Sequence, residues 1–191
     1  MESAFGIQGK DFVLLCADSY AAFSVFRFKE DEDKIMKIDD DKLIVGAGPY
    51  SDMTQFTHYV QKNAHLHRLR TSTKLSTSAF ANYTRGELAH ALRRGPYQVN
   101  LLVAGMDDGQ PSLFWIDYLS SMVKSTKAAH GYAAYFLGGL LDRYWKKDLT
   151  QPEAIEIAKK CIEELKTRMI ISQSHFTIKI VDSTGIKTVE L

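Results

Sequence analysis

Phe12-Val13-Leu14-Leu15-Cys16-Ala17-Asp18 is a short apolar run that ends abruptly on a carboxylate, and its length and composition read as a strand. Upstream, Ala4 to Gly9 forms a second strand segment, and Lys10-Asp11 between them is a two-residue polar turn suited to a hairpin. Downstream, Tyr20 to Phe28 is aromatic and β-branched and reads as one further strand. Sixteen residues past Asp18, Lys34 opens the alternating segment KIMKID, and KLIVGAG then ends on Gly46-Ala47-Gly48. The first fifty residues therefore read as strands. The acidic stretches Glu30 to Asp33 and Asp39 to Asp41 lack the spaced oxygen ligands and turn glycine of a calcium loop. They read as solvated turns.

Two helices follow. Asp52 is a candidate N-cap with Gln55 three residues on, and Met53, Phe56, Val60, Ala64 and His67 mark one face at helical spacing. Ser76 caps a second helix carrying Phe80, Tyr83, Leu88 and Leu92, and Gly95-Pro96 stops it. Strands resume with QVNLLVAG and SLFWIDYL around the turn-rich MDDGQP. A third helix runs from about Gly131 to Trp145. Thr150-Gln151-Pro152-Glu153 is a capping box that opens a fourth, with Ala154, Ala158, Cys161, Leu165 and Met169 as its apolar face. The chain closes with the alternating strand SHFTIKIVD and a turn at Ser183-Thr184-Gly185. Strands, two helices, strands, two helices and a strand, with hairpin connections, argue for an α+β layered fold rather than a parallel βαβ sheet.

Composition narrows the function classes. A chain of 191 residues with no linker or repeat reads as one domain spanning 1–191, large enough to bury ~70% of its unfolded surface. A formal net charge of +1 gives no reason to expect nucleic acid or an anionic membrane as partner. No apolar stretch reaches the ~18 residues of a membrane span. MESAFGIQGKD lacks the basic region and apolar core of a signal peptide, so cytoplasm or nucleus is the expected compartment. Cys16 and Cys161 each sit in an apolar run and read as buried reduced thiols. His58, His65 and His67 do not converge on a helix, since 65 and 67 point about 200° apart, so no metal or other cofactor is expected.

Several runs together resemble the proteasome beta family: GIQG at Gly6 to Gly9, FTHYVQKN at Phe56 to Asn63, ANYTR at Ala81 to Arg85, PYQVNLLVAG at Pro96 to Gly105, AAHGYAA at Ala128 to Ala134 and LDRYW at Leu141 to Trp145. Each is weak alone, and their collinear order over essentially the whole chain carries the resemblance. Within the family the chain looks most like the type-2 branch, which holds the fourth position of the beta ring and is non-catalytic in eukaryotes. The resemblance implies a four-layer αββα sandwich, the N-terminal-nucleophile hydrolase fold. Pattern alone does not reach that arrangement.

The family's catalytic positions can then be carried over one at a time. Asp18 and Lys34 match its Asp and Lys, Gly48 matches the glycine that lends its N–H to the oxyanion, and Ser172 falls on a nearby serine. Glu2 stands where the family has its nucleophilic Thr. Tyr132 stands where active members carry a serine, and Met169 where they carry a second aspartate. A Thr nucleophile needs its hydroxyl and a free α-amine. In the family that amine is exposed by cleavage after a Gly, and this chain has no Gly-Thr dipeptide. The resemblance thus implies a site outline without catalytic residues, and a mature N-terminus at Met1 or Glu2.

The same resemblance implies a structural subunit of the 20S core particle, acting in ubiquitin-dependent protein degradation. Its expected partners are the other alpha and beta subunits of four stacked heteroheptameric rings, together with assembly chaperones. The third and fourth helices would lie at the contact between the two beta rings, with Tyr132, Tyr135, Tyr144 and Trp145 as candidate interface residues. The alternatives are an active threonine peptidase matured by an unrecognised route and a free-standing adaptor that has kept the fold; Ser3 could become an N-terminal nucleophile only if Met1 and Glu2 were both removed.

Overall fold

In β2 (Phe12–Asp18) every residue is buried, and the alternation of a strand explains how. Phe12, Leu14 and Cys16 face one apolar cluster, while Val13, Leu15 and Ala17 face another. A strand covered on both faces has no polar side to show, hence the unbroken apolar run. The structure, a computed structural model, describes residues 2–23, 26–169 and 173–190.

β2 is the middle of a five-stranded antiparallel sheet in the order β10 (Lys127–Gly131), β1 (Ser3–Gln8), β2, β11 (Phe176–Asp182), β12 (Gly185–Val189). The second five-stranded sheet, also antiparallel, runs β5 (Ile35–Asp39), β6 (Lys42–Ala47), β7 (Asn100–Asp107), β8 (Gln110–Ile116), β9 (Met122–Ser125). The inner core joins them: Val13, Leu15 and Ala17 of the first pack with Leu43, Val45, Leu102 and Ala104 of the second. Leu101 and Val103 point the other way, onto α1 (Tyr50–Thr71) and α2 (Thr77–Ala91) through Phe56, Val60 and Phe80. The outer face of the first sheet carries α3 (Tyr132–Tyr144) and α4 (Gln151–Arg168) through Leu137, Leu141, Ala158 and Leu165. The layers are helices, sheet, sheet, helices, the αββα sandwich expected.

The caps agree with the sequence at two helices and differ at one. The Ser76 hydroxyl accepts the Ala79 N–H at 3.1 Å, and Glu153 Oε2 accepts the Thr150 N–H at 3.0 Å. Asp52, expected to cap α1, lies inside its first turn, and the N-cap is Pro49. The Asp52 carboxylate instead takes the Gln98 N–H at 2.8 Å, which ties α1 to the approach of β7. The segment expected as one strand from Tyr20 to Phe28 is a small ribbon, β3 (Ala21–Phe23) paired with β4 (Phe26–Lys29), and Ser24 and Val25 lie outside the described residues. β9, β10 and β12 were not expected. All three are edge strands, where one side of the ladder is open and the apolar signal is weak.

Candidate functional site

Three strand ends meet at one end of the sandwich: the start of β1, the end of β2 and the end of β6. Asp18 closes β2, and its Oδ1 accepts the Ser3 N–H at 2.8 Å. Its Oδ2 accepts the Lys34 ammonium at 2.8 Å and the Tyr20 N–H at 3.3 Å. The Lys34 and Asp18 side chains are 2% and 0% exposed. Such a dry pair persists only when the remaining lone pairs are satisfied, as two backbone N–H groups do here.

Gly48 follows β6 where the backbone of Gln98 crowds it. A Cβ at this position would stand 2.1 Å from the Gln98 carbonyl oxygen, so no other residue fits without moving the chain. The Gly48 N–H donates to Oε2 of Glu2. The Glu2 backbone is itself held from its carbonyl onward. Its carbonyl accepts the Tyr132 N–H at 2.9 Å, and the next residue, Ser3, pairs with Gly131 and donates to Asp18. Gly131 takes φ +66°, and a Cβ there would meet the Glu2 carbonyl oxygen at 2.1 Å. Burial raises the Glu2 carboxyl above its ordinary range, against the lowering by the Lys34 charge and the Gly48 N–H, and the Asp18 charge raises it further.

Glu2 and Gly48 stand at the foot of a cleft of about 1250 Å³ whose walls include Ala21, Ala22, Phe28, Tyr50, Trp115 and His130. His130, on β10, is the residue here that sequence reasoning did not single out, although it lies inside AAHGYAA. Its Nε2 meets the Leu101 carbonyl of β7 at 3.1 Å, so it bridges the two sheets, and its ring stacks on Trp115 at 4.8 Å. Burial lowers the His130 pKa to about 4. Between pH 6.5 and about 4 the unfolded chain takes a proton that the folded chain refuses, so stability falls as pH drops through this window. The full effect is about 3 kcal/mol. Denaturant midpoints of wild type and His130→Asn should accordingly converge from pH 7 to pH 4.5. A constant gap would show that the imidazole does not titrate this way.

Glu2, Asp18, Lys34 and Gly48 thus lie together at this end of the sandwich. Tyr132 contributes its backbone N–H, while its ring is exposed at the cleft. Met169 lies in the core beneath α3 and α4, and Ser172 is outside the described residues. Ser3 sits one step along β1 from Glu2, so its side chain projects to the opposite face, buried and without a hydrogen-bond partner among the described residues. Tyr135 is 84% exposed and Tyr144 37%. Trp145 departs from the expectation of a free interface aromatic. Its indole N–H donates to the Gln8 carbonyl at 2.9 Å and its ring packs against the core edge, because it caps α3 where the helix returns to β1. Cys16 and Cys161 are both buried free thiols in the core between sheet and helices, and burial pushes Cys161 up to about 12. Among the described residues no three His, Cys, Asp or Glu side chains are grouped to hold a metal. His65 contacts the Ile38 carbonyl at 2.7 Å.

The layer order and this cluster of strand ends define the N-terminal-nucleophile hydrolase fold. Residues 2–181 match the proteasome subunit family, and the chain belongs to it. It is similar to proteasome subunit beta type-2-A of Arabidopsis thaliana, 45% identical over 98% of this chain and 92% of that protein. To proteasome subunit beta type-2 of Dictyostelium discoideum it is 46% identical, over 98% of this chain and 96% of the relative. A probable proteasome subunit beta type-4 of Schizosaccharomyces pombe is 41% identical over the full length of both. The chain is a proteasome beta subunit of the type-2 kind.

Proposed function

We propose that this subunit is non-catalytic and structural, building the beta ring and chamber wall of the 20S core in ubiquitin-dependent degradation while other subunits cut. The observation that carries the reading is Glu2. At the position where the family resemblance puts the attacking hydroxyl stands a carboxylate, and it engages the N–H that would otherwise receive the developing oxyanion. Losing one oxyanion contact costs on the order of 10²–10³ in rate, whereas losing the nucleophile removes the covalent route altogether. Ser3 offers no substitute, since its side chain faces away from the cleft. The retained Asp18–Lys34 pair is explained by stability alone, because breaking a buried pair costs ~3–5 kcal/mol. Other alpha and beta subunits and assembly chaperones are the partners in this reading, and cytoplasm and nucleus the compartments.

A threonine-directed epoxyketone or boronate tests this directly. Neither wild type nor Glu2→Thr should be labelled, as judged by intact mass. Glu2→Thr leaves Tyr132 and Met169 in place, and the residue before position 2 would still block the amine; groups that act as a unit recover little from single repairs. Labelling of the wild type would overturn the reading, and labelling of Glu2→Thr would show that the site is closer to working order than argued.

A further inference from the structure

The foot of the cleft is already occupied, and by the chain itself. Gly48 has no side chain, and its N–H faces a cleft large enough for a peptide segment; the group that meets it is a carboxylate. That carboxylate hangs from a backbone fixed by Tyr132, Gly131 and Asp18. It is therefore presented to Gly48 without much freedom to lose. The other carboxylate lining the cleft, Glu32, is engaged at the rim by Lys29 at 2.8 Å and the Tyr50 hydroxyl at 3.1 Å. Lys34, whose charge acts on Glu2, is held by Asp18.

We propose that the Gly48 N–H is a carboxylate-binding position which Glu2 keeps filled, so that the C-terminal carboxylate of a peptide lying in the cleft is refused. The choice of peptides as the excluded ligand rests on the chamber-wall reading above; the self-filled position does not. A carboxylate tethered this closely competes at an effective concentration of millimolar order or higher. Free carboxylates should reach Gly48 only when the tether is removed. A chamber wall with such a plug does not hold the peptides made beside it.

The measurement is the backbone amide resonance of Gly48 in the full-length chain, titrated with acetate and with a short apolar peptide carrying either a free or an amidated C-terminus. In Glu2→Ala, acetate and the free-acid peptide should shift this resonance to saturation with an apparent Kd at least tenfold below that of wild type. The amidated peptide should leave it in place. Equal responses in both proteins, or none in Glu2→Ala, would overturn the proposal. Should Glu2→Ala fold poorly, the wild type decides alone: the Gly48 amide must titrate with the same midpoint as the Glu2 carboxyl carbon, above the usual carboxylate range. Separate midpoints would mean that the contact is not kept in solution. The labelling experiment reads cutting and this one reads occupancy, so either can fail without the other.

Discussion

Lys34→Met is expected to lower the unfolding free energy by about 3–5 kcal/mol, the loss typical of removing one partner from a buried ion pair. The methionine fills much of the lysine's volume, so packing is not the main term. What remains is the Asp18 carboxylate, wholly buried and held, among the described residues, by the Ser3 and Tyr20 N–H groups. Two backbone donors soften the charge but do not neutralise it. The double variant Asp18→Asn with Lys34→Met removes that stranded charge and should recover part of the loss, which a double-mutant cycle by urea unfolding would measure as coupling. A loss under about 1 kcal/mol for Lys34→Met would mean that water reaches the pair, contrary to its burial. The same substitution removes the charge that pulls the Glu2 carboxyl down, so Glu2 should become still harder to ionise.

What the sequence disclosed and what it hid divide along physical lines. The run Phe12 to Asp18 was legible because a strand buried on both faces has to be apolar throughout, and α4 because its capping box and apolar face are both local signals. β9, with Lys124 and Ser125, and β12, with Lys187 and Thr188, are half-solvated edges whose pairing comes from their neighbours rather than from their own pattern. Asp52 read as a cap because the rule sees only the residues that follow it, whereas its partner, Gln98, is 46 positions away. At the site, Asp18, Lys34 and Gly48 were placed by resemblance and then found in contact or close by. The contact between Glu2 and Gly48 could not be read at all, since residues 2 and 48 meet only once the two sheets stack. His130 escaped for the same reason: its role is to join two sheets, and nothing in AAHGYAA says where Leu101 will be.

Tyr135→Ala should leave the subunit folded and weaken the pairing of half-particles into full particles. On α3 the residues Ala133, Leu137 and Leu141 are the buried face. Tyr132, Tyr135 and Phe136 lie on the other side at helical spacing, and a Cβ at Gly138 or Gly139 would meet nothing within 4 Å. An exposed aromatic stripe beside an open backbone surface is unusual on a free-standing soluble protein and fits a contact with another chain, in the proposed assembly the facing beta ring. Losing a central tyrosine from such a contact typically costs ~2 kcal/mol or more, about thirtyfold in affinity, while surface substitutions change folding stability by about 0.5 kcal/mol or less. Tyr144 is the second choice. Lys160 of α4 sits over its ring at 4.2 Å, so it is partly engaged within the subunit and Tyr144→Ala should act more weakly. Trp145→Ala should do the reverse of Tyr135→Ala, because it deletes the bond to Gln8 and core-edge packing, and so lowers the melting temperature of the isolated chain. Native gels of assembling particles, read beside thermal unfolding of each variant alone, separate the two effects. Half-particles should accumulate with Tyr135→Ala at unchanged melting temperature. Full assembly of both the Tyr135→Ala and Tyr144→Ala variants would remove α3 from the contact.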